Sequence, residues 1–399
     1  MVVRYMGTKR HMVQHVRETI LNLNPRGRVV DLFSGMGSVA ESFQDSISVV
    51  TNDALSFTAA ISRARFTGPD REMSVCEVLK IISADYLKCL EKLRIMYSSQ
   101  LTTESEAVSG TRDKLLQYME SAEHVANSKN CERRAGVAAL SEGIEHYQLA
   151  SLYFSAGYLS LNQSLEVDAL RFAIDNNVND LEVDWLLAAW VVATSVLVNS
   201  PGHTAQYLRP NSDTSYKRIV RTWNRSLWDE FVLALDKVAK IGSENWRVSN
   251  AAHVGDALEL VANDQLPNIG VVYADPPYTQ DQYSRYYHVY ETLYRYDFPD
   301  AMGRGRNRSD RFKTGFSLKS GVVASFHELC CSVARMKVPL VVSYPSSGLL
   351  NKAGYDVADI ARKYFSEVDV ISYKARHSTM GASTGASKVD ATENLYVCE

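Results

Sequence analysis

The chain lacks most of the marks of a disulfide-rich, metal-binding or membrane protein. Its six cysteines include no C-x-x-C pair, so neither a zinc cage nor a disulfide framework is signalled. The most apolar stretch, WLLAAWVVATSVLV (185–198), is shorter than the roughly 20 residues needed to cross a bilayer and predicts a buried helix. The opening residues, MVVRYMGTKRHM, hold no apolar h-region, so no signal peptide is expected. His11 and His15 have the spacing of a helical metal pair, but the glutamate of H-E-x-x-H and a third ligand are missing, so no metal is expected. Nor is there a strong charge of one sign. The net charge is −3, which makes any nucleic-acid surface a local patch rather than a global field. Repeats and low-complexity tracts are also missing. The expectation is a reduced, cytoplasmic protein whose 399 residues fill two domains or one elaborated domain.

Short β-branched runs bounded by turn residues lie at both ends of the chain. RVVDLF (28–33), SISVVTN (46–52), NIGVVY (268–273) and VPLVVSY (338–344) predict strands. VDVISY (368–373) and NLYVC (394–398) flank a Gly/Ser-rich loop and predict an antiparallel pair. Between them, from about 66 to 198, Leu, Ala, Glu and Lys recur at helical spacing. Within that region SSQLTTESEAVSGT (98–111) is expected to be an exposed loop. The layout is an α/β sheet interrupted by a mainly helical insertion, too long for a simple crossover.

Two stretches carry chemistry. In VVDLFSGMGSVAESF (29–43) a strand runs into Gly35 and Gly37, and a helix is expected after Ser38. Glycines there allow a tight turn and close approach of a ligand, and Asp53 at the tip of the next strand is placed for ribose hydroxyls. The last glycine of G-x-G-x-x-G is replaced by Ala40, and Asp31 sits just before the turn. A carboxylate there repels a pyrophosphate and suits an amino group, which argues against a nicotinamide dehydrogenase. The second stretch is YADPPYTQDQYSRYYHVYETLYRYD (273–297). Proline has no N–H and forces its predecessor extended, so Asp275-Pro276-Pro277 ends the strand in a stiff corner. Its carbonyls stand beside a carboxylate and the ring of Tyr278, a prepared acceptor site.

Together these motifs resemble the amino-methylating DNA methyltransferases, specifically the adenine-N6 class in which the glycine loop precedes a DPPY tetrapeptide. Tyr5-Met6-Gly7-Thr8-Lys9 is similar to the N-terminal motif that contacts the methionine part of S-adenosylmethionine. Asp31 to Ser38, with Phe33, Gly35 and Gly37, is similar to the cofactor loop, and Gly255-Asp256-Ala257 to the segment whose acid approaches the adenine amine. The resemblance covers both flanks of the chain but not the insertion. It implies a Rossmann-like methyltransferase sheet with an antiparallel C-terminal strand, built from 1–66 and 248–399, and a helical insertion, 67–247, for target recognition. It further implies that Asp275 and the Pro276 carbonyl accept the N–H bonds of an adenine amine in DNA while Tyr278 stacks on the flipped-out base. A restriction-modification role with a cognate endonuclease belongs to the same expectation. Cytosine N4 or RNA as substrate, and a binding subunit without turnover, are the alternatives.

Candidate DNA contacts follow. SPGHTAQYLRPN (200–211) resembles a segment of similar methyltransferases and offers His203, Gln206 and Arg209. Tyr283, Arg285 and His288 are expected near the mouth of the site, whereas Tyr286, Val289, Tyr290 and Leu293 follow helical spacing and predict core. Two basic runs, 207–225 and 304–313, are expected to meet phosphates, the second through Arg306 and Arg308.

Overall fold

A computed structural model of the chain describes residues 12–122, 146–177, 180–263, 266–377 and 389–399. A seven-stranded sheet runs in the order β3-β2-β1-β4-β7-β9-β8. Its strands are β1 (Arg28–Asp31), β2 (Val49–Asp53), β3 (Ala251–Val254), β4 (Ile269–Ala274), β7 (Leu340–Pro345), β8 (Val368–His377) and β9 (Val389–Cys398). The remaining two, β5 (Ala301–Met302) and β6 (Asn307–Arg308), form a separate hairpin. The neighbours from β3 to β7 pair in parallel, and β9 enters antiparallel between β7 and β8. This is a Rossmann-like methyltransferase sheet, with the antiparallel C-terminal strand in place.

The parallel strands read as continuous apolar runs because both faces are covered. One face, with Val29, Val49, Val271 and Val341, packs on the helix Val13–Asn22 through Val16 and Ile20. The other, with Val30, Val50, Val272 and Val342, packs on the helix Val322–Arg335 through Phe326 and Leu329. Strand β3 lies outside the runs expected from sequence. It is an edge strand, only partly buried, so AAHV carries no continuous apolar signal.

The insertion is helical, as its spacing predicts. Its longest helix, Val75–Met96, starts at a capping box between Ser74 and Glu77. From Trp185 on, the helix Asp180–Leu197 is almost wholly apolar and lies buried, with Trp190, Leu186 and Val192 in the core. Among the described residues no helix is long and apolar enough to cross a membrane. The insertion shares its core with Phe57 and Ile61 of the helix Ser56–Phe66 and with Tyr287 and Tyr290. One expectation fails here: 98–111 is not a loop but largely a helix, Ser98–Val108. Its Glu104 is buried and accepts from the N–H groups of Leu161 at 2.6 Å and Asn162 at 3.2 Å, capping the helix Leu161–Asn177. A tertiary cap of this kind overrides the weak local preference of a Ser/Thr-rich sequence.

Candidate active site

The strand order reverses at β1, whose neighbours β2 and β4 lead to opposite sides of the sheet. Ligands of open α/β sheets sit at such a point, beyond the carboxyl ends of the strands. Here the two informative stretches meet. Leu32 donates to the carbonyl of Tyr273 at 3.0 Å, so the end of β1 is tied to the strand that carries Asp275. Beyond Asp31 the chain turns sharply: Ser34 donates to the Asn52 carbonyl from both its N–H (2.9 Å) and its hydroxyl (3.0 Å). Gly35 and Gly37 take φ of 50° and 74°, the left-handed region that favours glycine. A Cβ at Gly37 would also lie 2.3 Å from the Phe66 ring.

Asp53 fixes this loop. One carboxylate oxygen accepts the Gly35 N–H and the other the Leu55 N–H, both at 2.9 Å. Asn52 donates to the carbonyls of Leu32 (3.1 Å) and Gly255 (3.2 Å), which joins the ends of three strand-following segments. Asp256 caps the helix Ala257–Ala262 through the Leu258 N–H at 2.7 Å. Each of these carboxylates has lone pairs to spare after its structural bond.

Asp275, Pro276, Pro277 and Tyr278 border a cavity open to solvent, together with Phe33, Asp53, Asp256, Ala257 and Tyr283. The Tyr278 carbonyl is held by the Leu349 N–H at 2.9 Å. The far wall, Phe312 to Phe316, is clasped by Gln282, which accepts from the Thr314 N–H (3.2 Å) and donates to its carbonyl (3.3 Å). Asp31 does not line the cavity but precedes Leu32 and Phe33, which do. Both of its oxygens are buried without a hydrogen-bond partner among the described residues. Burial first, and then the charges of Asp275 and Asp53, push the Asp31 carboxyl up to about 8. Asp53, Asp256 and Asp275 bring carboxylates to this space, and Phe33, Tyr278, Tyr283, Phe312 and Phe316 bring aromatic rings.

The structure thus brings together Phe33, Asp53, Asp256, Ala257, the tetrapeptide and Tyr283, while Asp31, Gly35, Gly37 and Ser38 belong to the same strand, turn and helix start as Phe33 without lining the cavity. Tyr5, Gly7 and Lys9 lie outside the described residues. His203 stacks on Tyr286 with centroids 4.8 Å apart, Gln206 and Arg285 are exposed, and Arg209 pairs with Glu120. The segment 200–211 is bound to the site because Thr204 donates to the Tyr286 carbonyl, its hydroxyl at 2.8 Å. Lys217 and Arg221 are exposed on the helix Asp213–Trp223.

Two expectations are corrected. Arg306 and Arg308 do not form a phosphate-binding surface, since each is 1% exposed. Arg306 donates to the carbonyls of Tyr153 and Ser155, and Arg308 is forked between Asp297 and Asp310. Glycine neighbours and like charges in sequence do not reveal that these two cations turn inward. His288 is not at the mouth either. It is fully buried against the Thr204 carbonyl at 2.7 Å, and burial lowers its pKa to about 3. Sequence reasoning misses Asn52, Gln282, Thr314 and Phe316; the last three follow no periodic pattern, and only Asn52, beside Asp53, carries a local signal.

Residues 237–338 match the family model described as D12 class N6 adenine-specific DNA methyltransferase. The chain is 22% identical over 398 residues to modification methylase LlaI of Lactococcus lactis subsp. lactis, covering 97% of this chain and 53% of that protein. It is 25% identical over 356 residues to type II methyltransferase M.FokI of Planomicrobium okeanokoites, covering 87% and 45%. With type II methyltransferase M.CviAII of Paramecium bursaria Chlorella virus 1 it shares 26% over 244 residues, 60% and 65% of the two chains. The chain spans about half the length of the first two relatives. The likeness is thus to an adenine-N6 DNA methyltransferase family over residues 237–338, and to modification methylases and type II methyltransferases at 22–26% identity over longer stretches.

Proposed function

We propose that the chain is the catalytic part of an S-adenosylmethionine-dependent methyltransferase that modifies the N6 amine of adenine at a specific site in double-stranded DNA, with the target base turned out of the duplex. The observation that carries this reading is Asp275-Pro276-Pro277-Tyr278 standing in one cavity with Phe33, Asp53 and Asp256. The residues fit the cofactor. Asp31 offers a buried carboxylate without a described partner to an ammonium group, Asp53 keeps lone pairs for ribose hydroxyls, and Phe33 offers an aromatic surface. When bound, S-adenosylmethionine supplies a methyl group activated by a positively charged sulfonium.

What remains for the protein is to make a poor nucleophile better and to aim it. The lone pair of an adenine amine is spread into the ring. Asp275 accepts one N–H and the Pro276 carbonyl the other, which favours a tetrahedral nitrogen with its lone pair free. The proline pair holds that carbonyl in place before the reaction begins, so no reorganisation is needed as charge develops. Tyr278 stacks on the base and fixes its plane, which makes in-line approach a matter of positioning. After transfer the nitrogen sheds a proton, and Asp275 is the base within reach. A duplex hides the amine, which is why the base must be extruded.

In this reading the insertion, 67–247, contributes to target recognition through 200–211, and the modification protects DNA against a cognate endonuclease inside the cell. The relatives, a modification methylase and a type II methyltransferase, support that role. The test is incubation with methyl-labelled cofactor and DNA, followed by mass spectrometry of the nucleosides. Label in N6-methyladenine is expected. Label confined to cytosine or to RNA, or no incorporation at all, sinks the proposal.

A further inference from the structure

The loop that follows the helix Asp180–Leu197 is closed at its neck and braced from within. The Asn199 side-chain amide donates to the carbonyls of Gly157 (3.1 Å) and Leu208 (2.8 Å), and the Leu208 N–H donates to the Asn199 carbonyl at 3.3 Å. Thr204, fully buried, gives both its N–H (2.5 Å) and its hydroxyl (2.8 Å) to the Tyr286 carbonyl. Its own carbonyl accepts from His288 at 2.7 Å and from the Tyr158 hydroxyl at 2.5 Å. Arg218, on the helix Asp213–Trp223, donates to the Ser200 carbonyl at 2.7 Å. These bonds leave the backbone of 199–208 little freedom.

The frame presents one side chain in a fixed attitude. The His203 ring stacks on Tyr286, with centroids 4.8 Å apart and planes 28° from parallel. Its Nδ1 accepts the Ala205 N–H at 3.3 Å, so the proton of the neutral ring sits on Nε2. Burial first, and then the charge of Arg285, lower the pKa of His203 despite Asp281, which favours that neutral form. Nε2 has no hydrogen-bond partner among the described residues and is not buried. There is room beside the ring: nothing lies within 4 Å of a Cβ built on Gly202, and Pro201 and Gln206 are exposed. Tyr286 is one helical turn from Tyr283, which lines the cavity, so their Cβ atoms are about 5 to 6 Å apart. The stack adds its own 4.8 Å, which puts His203 roughly 10 Å from Tyr283.

We infer that His203 is a specificity residue whose Nε2–H donates to an acceptor atom on the edge of a base flanking the target adenine. This role rests on the DNA methyltransferase reading above. A single, oriented, neutral donor suits a ring nitrogen or carbonyl oxygen of a base. Phosphates are met by charged, flexible groups, such as the exposed Arg285 beside Tyr286. Bases differ in where their edges carry acceptors, so a donor that cannot move distinguishes them. Tyr286 is then a positioning residue: it holds the imidazole flat, and Thr204 holds Tyr286. Successive bases of a strand are about 3.4 Å apart, so a reach of roughly 10 Å spans about three steps. The base that His203 reads is therefore within about three positions of the methylated adenine.

The test uses the full chain and maps the adenines methylated in genomic DNA by wild type and by His203→Phe, which keeps a ring to stack on Tyr286 but has no N–H. Wild type is expected to demand one base, and His203→Phe to accept others, at one position within about three of the adenine. On duplexes of the mapped site, discrimination at that position should fall on the order of tenfold, with the other positions read as before. A second series replaces each base of that window in turn by an analogue lacking one acceptor, such as 7-deazaguanine for guanine. Wild type should slow on the order of tenfold at one analogue, and His203→Phe should not feel it. If His203→Phe does not fold, the analogue series decides alone, and a wild type indifferent to every analogue overturns the role. A motif unchanged in His203→Phe, relaxation only outside the window, or equal slowing on every sequence also overturns it, while leaving the methyltransferase intact. A wild type that methylates no DNA removes the methyltransferase reading itself, and the role of His203 with it.

Discussion

Asp31 and Asp275 stand at the ends of adjacent parallel strands, close enough that the charge of Asp275 adds to burial in holding the Asp31 carboxyl near 8. Its ordinary value is 3.8, so between about pH 4 and pH 8 the folded protein holds a proton that the unfolded chain has lost. Stability conferred by that proton is present in acid and drains away as pH rises through the window. The melting temperature of the protein without ligand should therefore fall across it, and Asp31→Asn should flatten that fall. A cationic group placed at Asp31 needs the ionised form. Cofactor affinity should thus rise with pH up to about 8, with proton release detectable by calorimetry in buffers of different ionisation enthalpy. A pH-independent affinity would remove Asp31 from the cofactor site.

Asp53 has a double duty, and its loss should show both. Asp53→Ala frees the N–H groups of Gly35 and Leu55 and takes away the acceptor proposed for the ribose. Cofactor binding should weaken by about 1.5 to 3 kcal/mol, the worth of a hydrogen bond to a charged group, and the melting temperature should drop with it. A lower melting temperature with unchanged calorimetric affinity would leave Asp53 a loop clamp and place the nucleoside elsewhere.

Arg308 should behave as a structural residue. Arg308→Ala breaks the fork to Asp297 and Asp310, so the protein should melt earlier. The dependence of DNA affinity on salt should stay as steep as in the wild type, because that slope counts phosphates neutralised at the surface. Arg304→Ala, at the exposed turn between β5 and β6, should lower the slope by about one instead. If Arg308→Ala flattens the slope and spares the melting temperature, that guanidinium reaches DNA after all.

Much of the fold is legible in the sequence because buried parallel strands must be apolar on both faces, and VVDLF or VVYADPPY cannot easily be anything else. Asp31, Asp53 and Asp275 are legible for a related reason: a carboxylate at the end of such a run is too costly to place without purpose. Edge strand β3 is silent because one partner and partial burial leave no pattern. The helix Ser98–Val108 is silent because its stability comes from Glu104 reaching across to Leu161, a contact between distant parts of the chain. Arg306 and Arg308 mislead for the converse reason. Sequence shows a charge but not its direction, and here the partners at Tyr153 and Asp297 turn the charge inward.

The most direct test of the chemistry is Asp275→Ala. The carboxylate acts on the amine as its nitrogen becomes tetrahedral, so its removal should raise the barrier far more than it weakens binding of cofactor or DNA. Loss of one preorganised polar partner should slow methyl transfer on the order of a hundredfold to a thousandfold, by analogy with an oxyanion-hole donor. Melting and cofactor affinity should stay near wild type, since Asp275 is only half-buried at the cavity edge. Tyr278→Ala should differ in kind. It removes about 1 to 3 kcal/mol of stacking from the extruded base, so 2-aminopurine at the target should report fewer flipped bases before any chemistry occurs. Single-turnover rates separate the two: Asp275→Ala should leave flipping intact and slow transfer. Wild-type transfer by Asp275→Ala would mean that the stiff corner at 275–278 is a strand terminator and that the amine is activated elsewhere.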